Sequence, residues 1–391
     1  MDAQRRLGGP VLPPATRSTF DMSEIDLLAG DFARDCNERR IFMASVLDTT
    51  IDSASTLPAN SASPGRSGGD REPASVPESE TVRVDSADKS ARKKDVGPTA
   101  TERRESTRRS WFAISWLVAV HVAALAAPFF FSWTGLAVAI VLHWVTGSLG
   151  ICLGYHRLLT HTGMRTHNWV RYTFATIGSL AGEGAPLDWI ADHRKHHACS
   201  DQEGDPHSPH DGSWWSHMMW LGFPTHRGVR ADHLKKWAPD LYRERGMRIM
   251  DYLFLPLHFA AGLTLAAIGF AIGGWYMATS LVLWGMFVRL VLVLHATWMV
   301  NSASHMWGYR NYETTDDSRN NWLVAIIAYG EGWHNNHHAY PRMAKHGHRW
   351  WEFDITWQAI RLLRATGLVW DVVDYRTAAE KKASLQNATA S

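Results

Sequence analysis

The stretch GEGWHNNHHAYP, residues 330–341, carries His334, His337 and His338 almost side by side. Two other stretches repeat the theme. HRLLTH holds His156 and His161, and HRKHH holds His193, His196 and His197. Positions i, i+3 and i+4 of an α-helix share a face, so His193, His196 and His197 can converge, as can His334, His337 and His338. His156 and His161 are about 140° apart around an ideal helix. Either the helix ends between them or they serve two different ions. His305, in NSASHMWG, is a further candidate. The whole set exceeds the roughly four to six ligands of one transition ion, so two metals sharing it fit better. Imidazole suits iron, copper, nickel or zinc. The ligand count favours a redox metal over structural zinc, which closes with four ligands and usually uses cysteine. Cys36, Cys152 and Cys199 form no CxxC, and no HExxH of a zinc protease is present.

The rings can share a site only if the chain brings them to one side of whatever it crosses. Four apolar runs occur, at residues 111–131, 133–153, 253–272 and 275–300. Each is about 20 residues, enough to cross a ~30 Å hydrocarbon layer as a helix. The separators within each pair are so short that each pair reads as a tight hairpin. Arg103, Arg104, Arg108 and Arg109 precede the first run, the polar regions after the second and fourth runs hold many more basic residues, and the hairpin tips hold none. That bias places both termini and both polar regions in the cytoplasm. Runs 169–181 and 322–329 look too short to span and suit interfacial or packed helices. All three histidine clusters then lie on one side. A metal transporter would instead place its ligands at mid-membrane. His121, His143, His258 and His295, within the runs, read as structural. His207, His210, His217, His226, His233, His346 and His348 read as loop residues. Arg289, inside the fourth run, has no evident partner.

The expected architecture is an all-α integral membrane protein, with four transmembrane helices in two hairpins and a cytoplasmic helical domain carrying a histidine-rich dimetal site. The rest of the chain is of another kind. Of 391 residues, none of the 21 His or 20 Trp precedes Trp111. The first 110 residues are rich in Ser, Pro and charge, a composition that cannot bury enough apolar surface to order itself. Residues 1–110 are read as a disordered arm, 111–375 as the membrane domain and 376–391 as a flexible tail. A net charge of +2 gives no sign of nucleic acid as a partner.

GYHRLLTH, DWIADHRKHHACSDQEGDPHSPH, TWMVNSASHMWG and GEGWHNNHHAYP occur in that order with apolar runs between them. Together they resemble the membrane-bound fatty acid desaturases, especially the stearoyl-CoA desaturase-like Δ9 group that acts on acyl-CoA or acyl-lipid, over about residues 111–371. The resemblance implies a di-iron centre with nine ligands, His156, His161, His193, His196, His197, His305, His334, His337 and His338, and Asn301 reaching a metal through water. It implies O2, two electrons and a cis double bond, usually at carbon nine. Chemistry agrees with this. An unactivated methylene has no acidic proton and no electrophilic centre, so its oxidation falls to a cofactor. Zinc can replace iron in recombinant protein, because imidazole binds both.

Asp201 and Glu331 lie close to the ligands in sequence, as does Asp205, and are expected to hold the rings from behind. Stepping back by fours from His156 gives Cys152, Ser148 and Trp144, a stripe along which an acyl tunnel would end. Trp144 would then limit chain length, with Ser148 leaving room before it. By resemblance, Trp189 and Thr297 line the tunnel bend. Expected partners are a fatty acyl substrate, membrane lipid and an external electron donor of ferredoxin or cytochrome b5 type with its reductase. Neither an HPGG stretch of a fused cytochrome b5 nor a GxGxxG after a strand is present. The aromatic stretch 349–363 is expected to pack on the cytoplasmic domain or lie at the interface. A di-iron membrane hydroxylase of lipid-like substrates is the competing reading.

Overall fold

The computed structural model describes residues 109–223, 229–376 and 380. The expected disordered arm lies outside the described residues apart from its last two, and most of the expected tail does too. The described chain is mostly helical, with one pair of two-residue strands, Arg165–Thr166 against Val369–Trp370.

Two helices are long and apolar enough to cross a membrane, Trp133–Thr160 and Arg245–Met306. The second is broken at Gly273 and Gly274, whose backbones are not helical. Gly274 takes φ 62° and ψ −157°, a conformation in practice restricted to glycine. The chain doubles back there, and the backbone of Gly269 lies against that of Ala278. The first apolar run is helical only over Trp111–Ala124, because Pro128 opens a 3-10 turn, Ala127–Phe130. That turn meets the later bend. The Ser132 and Ser280 hydroxyls are 2.7 Å apart, and Tyr276 and Trp284 donate to the carbonyls of Phe131 and Ala127.

The helix that begins at Trp133 changes pitch at Val145. From there to Thr160 it is π-helical, with i→i+5 bonds. Helix Asn168–Ser179 packs along it. A side chain at Gly150 would stand 2.8 Å from the backbone of Gly178, so the approach of these two helices depends on glycine. Stretch 169–181, expected not to span, is this packed helix. Helix Pro186–Cys199 follows and carries three of the histidines.

Arg289 does have partners. It follows a second π-turn, Leu283–Val288, and its guanidinium donates to Gly285 O at 3.2 Å and to Leu180 O. Leu180 caps the C-terminal end of Asn168–Ser179, where unpaired carbonyls favour a cation. Sequence could not pair these residues, because one lies in an apolar run and the other acts through its backbone. In the aromatic stretch near the C-terminus, Asp354 caps helix Ile355–Ala365, Ile360 is buried and Trp350 is 91% exposed.

Candidate metal centre and cavity

The nine imidazoles gather into two groups. His156, His161, His193, His197 and His337 form one, and His196, His305, His334 and His338 form the other. Within each group the ligand atoms lie within 4.8 Å of one another. The clusters seen in sequence are thus divided. Helix Pro186–Cys199 sends His193 and His197 to the first group and His196 to the second. Helix His334–Ala339 sends His337 to the first and the other two to the second.

The π-pitch resolves the spacing of His156 and His161. His161 N donates to His156 O at 3.1 Å, so residues five apart stand on one face. Both rings serve one group: the helix ends at Thr160, between them, with His161 as its cap after a wide last turn, and no second ion is needed.

Carboxylates hold four of the rings by Nδ1. Glu331 takes His156 at 2.7 Å, Asp201 takes His305 at 2.6 Å, Asp205 takes His196 at 3.0 Å and Asp316 takes His338 at 2.7 Å. A carboxylate on Nδ1 places the proton there and leaves Nε2 as a lone pair. Those Nε2 atoms turn inward. His156 and His337 are 3.0 Å apart at Nε2, His337 and His197 2.9 Å, and His334 and His305 3.0 Å. His161, His196 and His338 bury Nε2 with no partner among the described residues. Two nitrogens about 2.1 Å from one ion and at right angles would stand ~3.0 Å apart. The donor set therefore fits two transition ions.

The electrostatics point the same way. Burial first, then the neighbouring imidazoles, push His161, His193, His197, His334 and His337 well below the ordinary imidazole range. They are neutral, the form that ligates. Burial would raise the carboxyls of Asp205 and Glu331. His196 overrides it for the first and Arg157 for the second, and both stay well below the usual carboxylate range.

Asp201, Asp205 and Glu331 stand behind histidines as expected, but Asp201 holds His305 and Glu331 holds His156, not the histidines next to them in sequence. Asp316 was missed, because it lies 22 residues before its histidine in an irregular loop. His346, read as a loop residue, is 1% exposed. Its Nδ1 is 3.0 Å from Glu331, and its ring lies 4.5 Å from that of His337. His207, read the same way, is buried with its ring 4.3 Å from His196. Arg157 is buried too. It donates to Glu331 at 3.0 Å and to Asp354 at 2.9 Å, tying the π-helix to the Glu331 turn and to the last helix. Its only sequence signal was its place inside HRLLTH.

A cavity touches both groups, through His156 and His193 of one and His334 of the other, with Asn301 on its wall. Ile151, Val293, Ala296 and Ala328 make much of the lining apolar. Trp189 and Thr297 are there, and both donate to Glu183, at 2.9 Å and 2.6 Å. Burial pushes the Glu183 carboxyl up to about 7, against the opposing pull of those two donors. Elsewhere in the lining, His143 and Tyr329 are hydrogen-bonded beside Gly147. His143 is therefore a cavity residue and not only a structural one. Trp144 and Ser148 are not among the lining residues. Trp144 is 40% exposed, and Ser148 is buried against Thr356 at 3.1 Å. Stepping by fours assumed an α-helix. Cys152 lines the cavity as that stripe expects, but beyond it the wall is made by Ile151, Gly147 and His143, one residue away from Ser148 and Trp144.

Comparison with known proteins follows this geometry. The fatty acid desaturase family model matches residues 131–369. An sn-2 palmitoyl-lipid 9-desaturase of Nostoc sp. is 46% identical, over 71% of this chain and 95% of that protein. An sn-1 stearoyl-lipid 9-desaturase of Anabaena variabilis is 42% identical, over 67% and 93%. An icosanoyl-CoA 5-desaturase of Limnanthes douglasii is 41% identical, over 66% and 70%.

Proposed function

The chain belongs to the fatty acid desaturase family, and from that premise we propose that it forms a cis double bond at carbon nine of a saturated acyl chain carried on a membrane lipid. The observation that carries this reading is the meeting of two imidazole groups with one largely apolar cavity. The lipid carrier and the position rest on the names of the two cyanobacterial relatives.

Two iron ions held by the two groups would supply the oxidising power drawn from O2. In balance, the acyl –CH2–CH2– unit, O2, two electrons and two protons become –CH=CH– and two waters. The chain's own residues do the rest. Four carboxylates fix the tautomer and aim of His156, His196, His305 and His338. Ile151, Val293, Ala296 and Ala328 exclude water and hold the methylenes by contact alone. Glu183 binds Trp189 and Thr297, so the two sides of the cavity cannot slide apart. His143 and Tyr329, hydrogen-bonded to each other in the lining, set how much chain extends beyond the histidines. Electrons come from an external one-electron carrier of ferredoxin or cytochrome b5 type.

We also propose that the chain crosses the membrane four times. The chain reversal at Gly273–Gly274 and the apolar helix Trp111–Ala124 support this, and both termini and the histidines would face the cytoplasm.

The test is a lipid profile. The chain is expressed in a host without its own Δ9 desaturase, with a suitable electron donor, beside a His337→Ala control. New cis-Δ9 monoenes from the intact chain alone are expected. Hydroxylated lipids would contradict the reading, and so would an unchanged profile with metal bound.

A further inference from the structure

The cavity lining includes Asp188, which pairs at 2.6 Å with Arg230, both partly exposed. Trp220 and Leu221 also line it, and the Trp220 ring lies 5.1 Å from that of His207. These two residues belong to residues 213–222, SWWSHMMWLG, a short helix Ser213–His217 running into a 3-10 turn Met219–Gly222. The same stretch turns other large apolar side chains outward, Trp214 at 67% exposed and Met219 at 56%.

What these side chains face follows from where the stretch is fastened. Gly222 O accepts from Ser110 N at 2.7 Å, and Gly222 abuts Ile114. It is therefore bound to the first turn of the apolar helix Trp111–Ala124, where Trp111 and Phe112 are also exposed. That helix begins just after Arg109. A basic residue followed by exposed tryptophans at the start of an apolar helix marks the headgroup level of a bilayer. A tryptophan and methionine surface continuous with that level is shaped for lipid rather than water.

We propose that residues 213–222 lie in the membrane interface and form a side portal, through which the acyl chain of a bilayer glycerolipid passes from its leaflet directly into the cavity. This rests on the acyl-lipid reading above. The outer face, Trp214 and Met219, meets the leaflet, while the inner face, Trp220 and Leu221, is the cavity wall. A lipid's headgroup stays at the surface while its chain turns inward, so no acyl chain crosses water.

The test uses the full chain in vesicles of a phosphatidylcholine with a photoactivatable diazirine on its sn-2 palmitoyl chain, and maps crosslinks by mass spectrometry. Crosslinks on residues 213–222 and on cavity residues such as Val293 and Thr297 are expected. A Trp214→Glu, Met219→Glu double variant should lose cavity labelling at least tenfold while keeping its bound metal. Cavity labelling that is unchanged in that variant, or that comes with no crosslink on 213–222, overturns the portal and leaves the acyl-lipid reading standing. Labelling of 213–222 that never reaches the cavity overturns the portal as well. Cavity labelling only from a photoactivatable acyl-CoA overturns the acyl-lipid reading and the portal with it.

Discussion

Glu331 is the residue on which most of the first histidine group depends. One oxygen takes His156 and His346, and the other takes two nitrogens of Arg157. Glu331→Gln should weaken metal binding at the five-histidine group by roughly 10–100-fold, the usual loss when a ligand's outer partner is removed. It also leaves the buried Arg157 with Asp354 as its one carboxylate, so stability should fall by roughly 3 kcal/mol. Metal content and thermal melts in detergent measure the two effects separately. Glu183 behaves in the opposite sense. Its folded value is raised, to about 7, above the ordinary 4.5, so the folded state holds its proton more tightly than the unfolded state. That contribution is fully present below the unfolded value and is lost as pH rises through about 7. Glu183→Gln should remove a loss of roughly 3 kcal/mol across that window. Melts of the two proteins that keep the same pH dependence would contradict it.

The π-helix Val145–Thr160 decides the site at the scale of elements, and it was the feature least visible in sequence. Nothing in VTGSLGICLGYHRLLT distinguishes a π from an α pitch. Residue spacing could therefore propose His156 and His161 as ligands but could not seat them together, and beyond Cys152 it placed the tunnel wall one residue off. That these nine histidines gather was legible because types and spacing sufficed. Asp201, Asp205 and Glu331 were legible as carboxylates beside histidine clusters, but only Asp205 holds a ring of the cluster next to it; Asp201 reaches His305 and Glu331 reaches His156. Asp316, His346 and Asp354 reach the site from loops and caps whose course no local pattern encodes. The revised stripe has its own consequence. A side chain at Gly147 would stand 2.9 Å from the Tyr329 ring, so Gly147 and Tyr329 share the floor of the cavity. Tyr329→Ala should open that floor and shift the products toward longer chains. Trp144→Ala should leave chain length unchanged. Gas chromatography of products from both variants checks this, and the reverse pattern would restore the sequence stripe. Gly150→Ala should cost roughly 1–3 kcal/mol, because the backbone of Gly178 cannot yield as a side chain would.

For the whole molecule, the arrangement divides labour between apolar helices and a histidine-bearing cap. Helices Trp133–Thr160 and Arg245–Met306 supply much of the apolar cavity wall, and each carries one of the nine histidines near its end, His156 and His305. The polar segments that follow them supply the other seven histidines and the carboxylates. We propose that this junction holds two metal ions, one per histidine group. The most direct measurement is the total metal, iron plus zinc, per full-length chain purified from iron-supplemented cells, beside His197→Ala and His305→Ala variants. Two ions per intact chain are expected, falling toward one in each variant as its own group empties. A folded intact chain holding one ion or none, or variants that keep both, would contradict it.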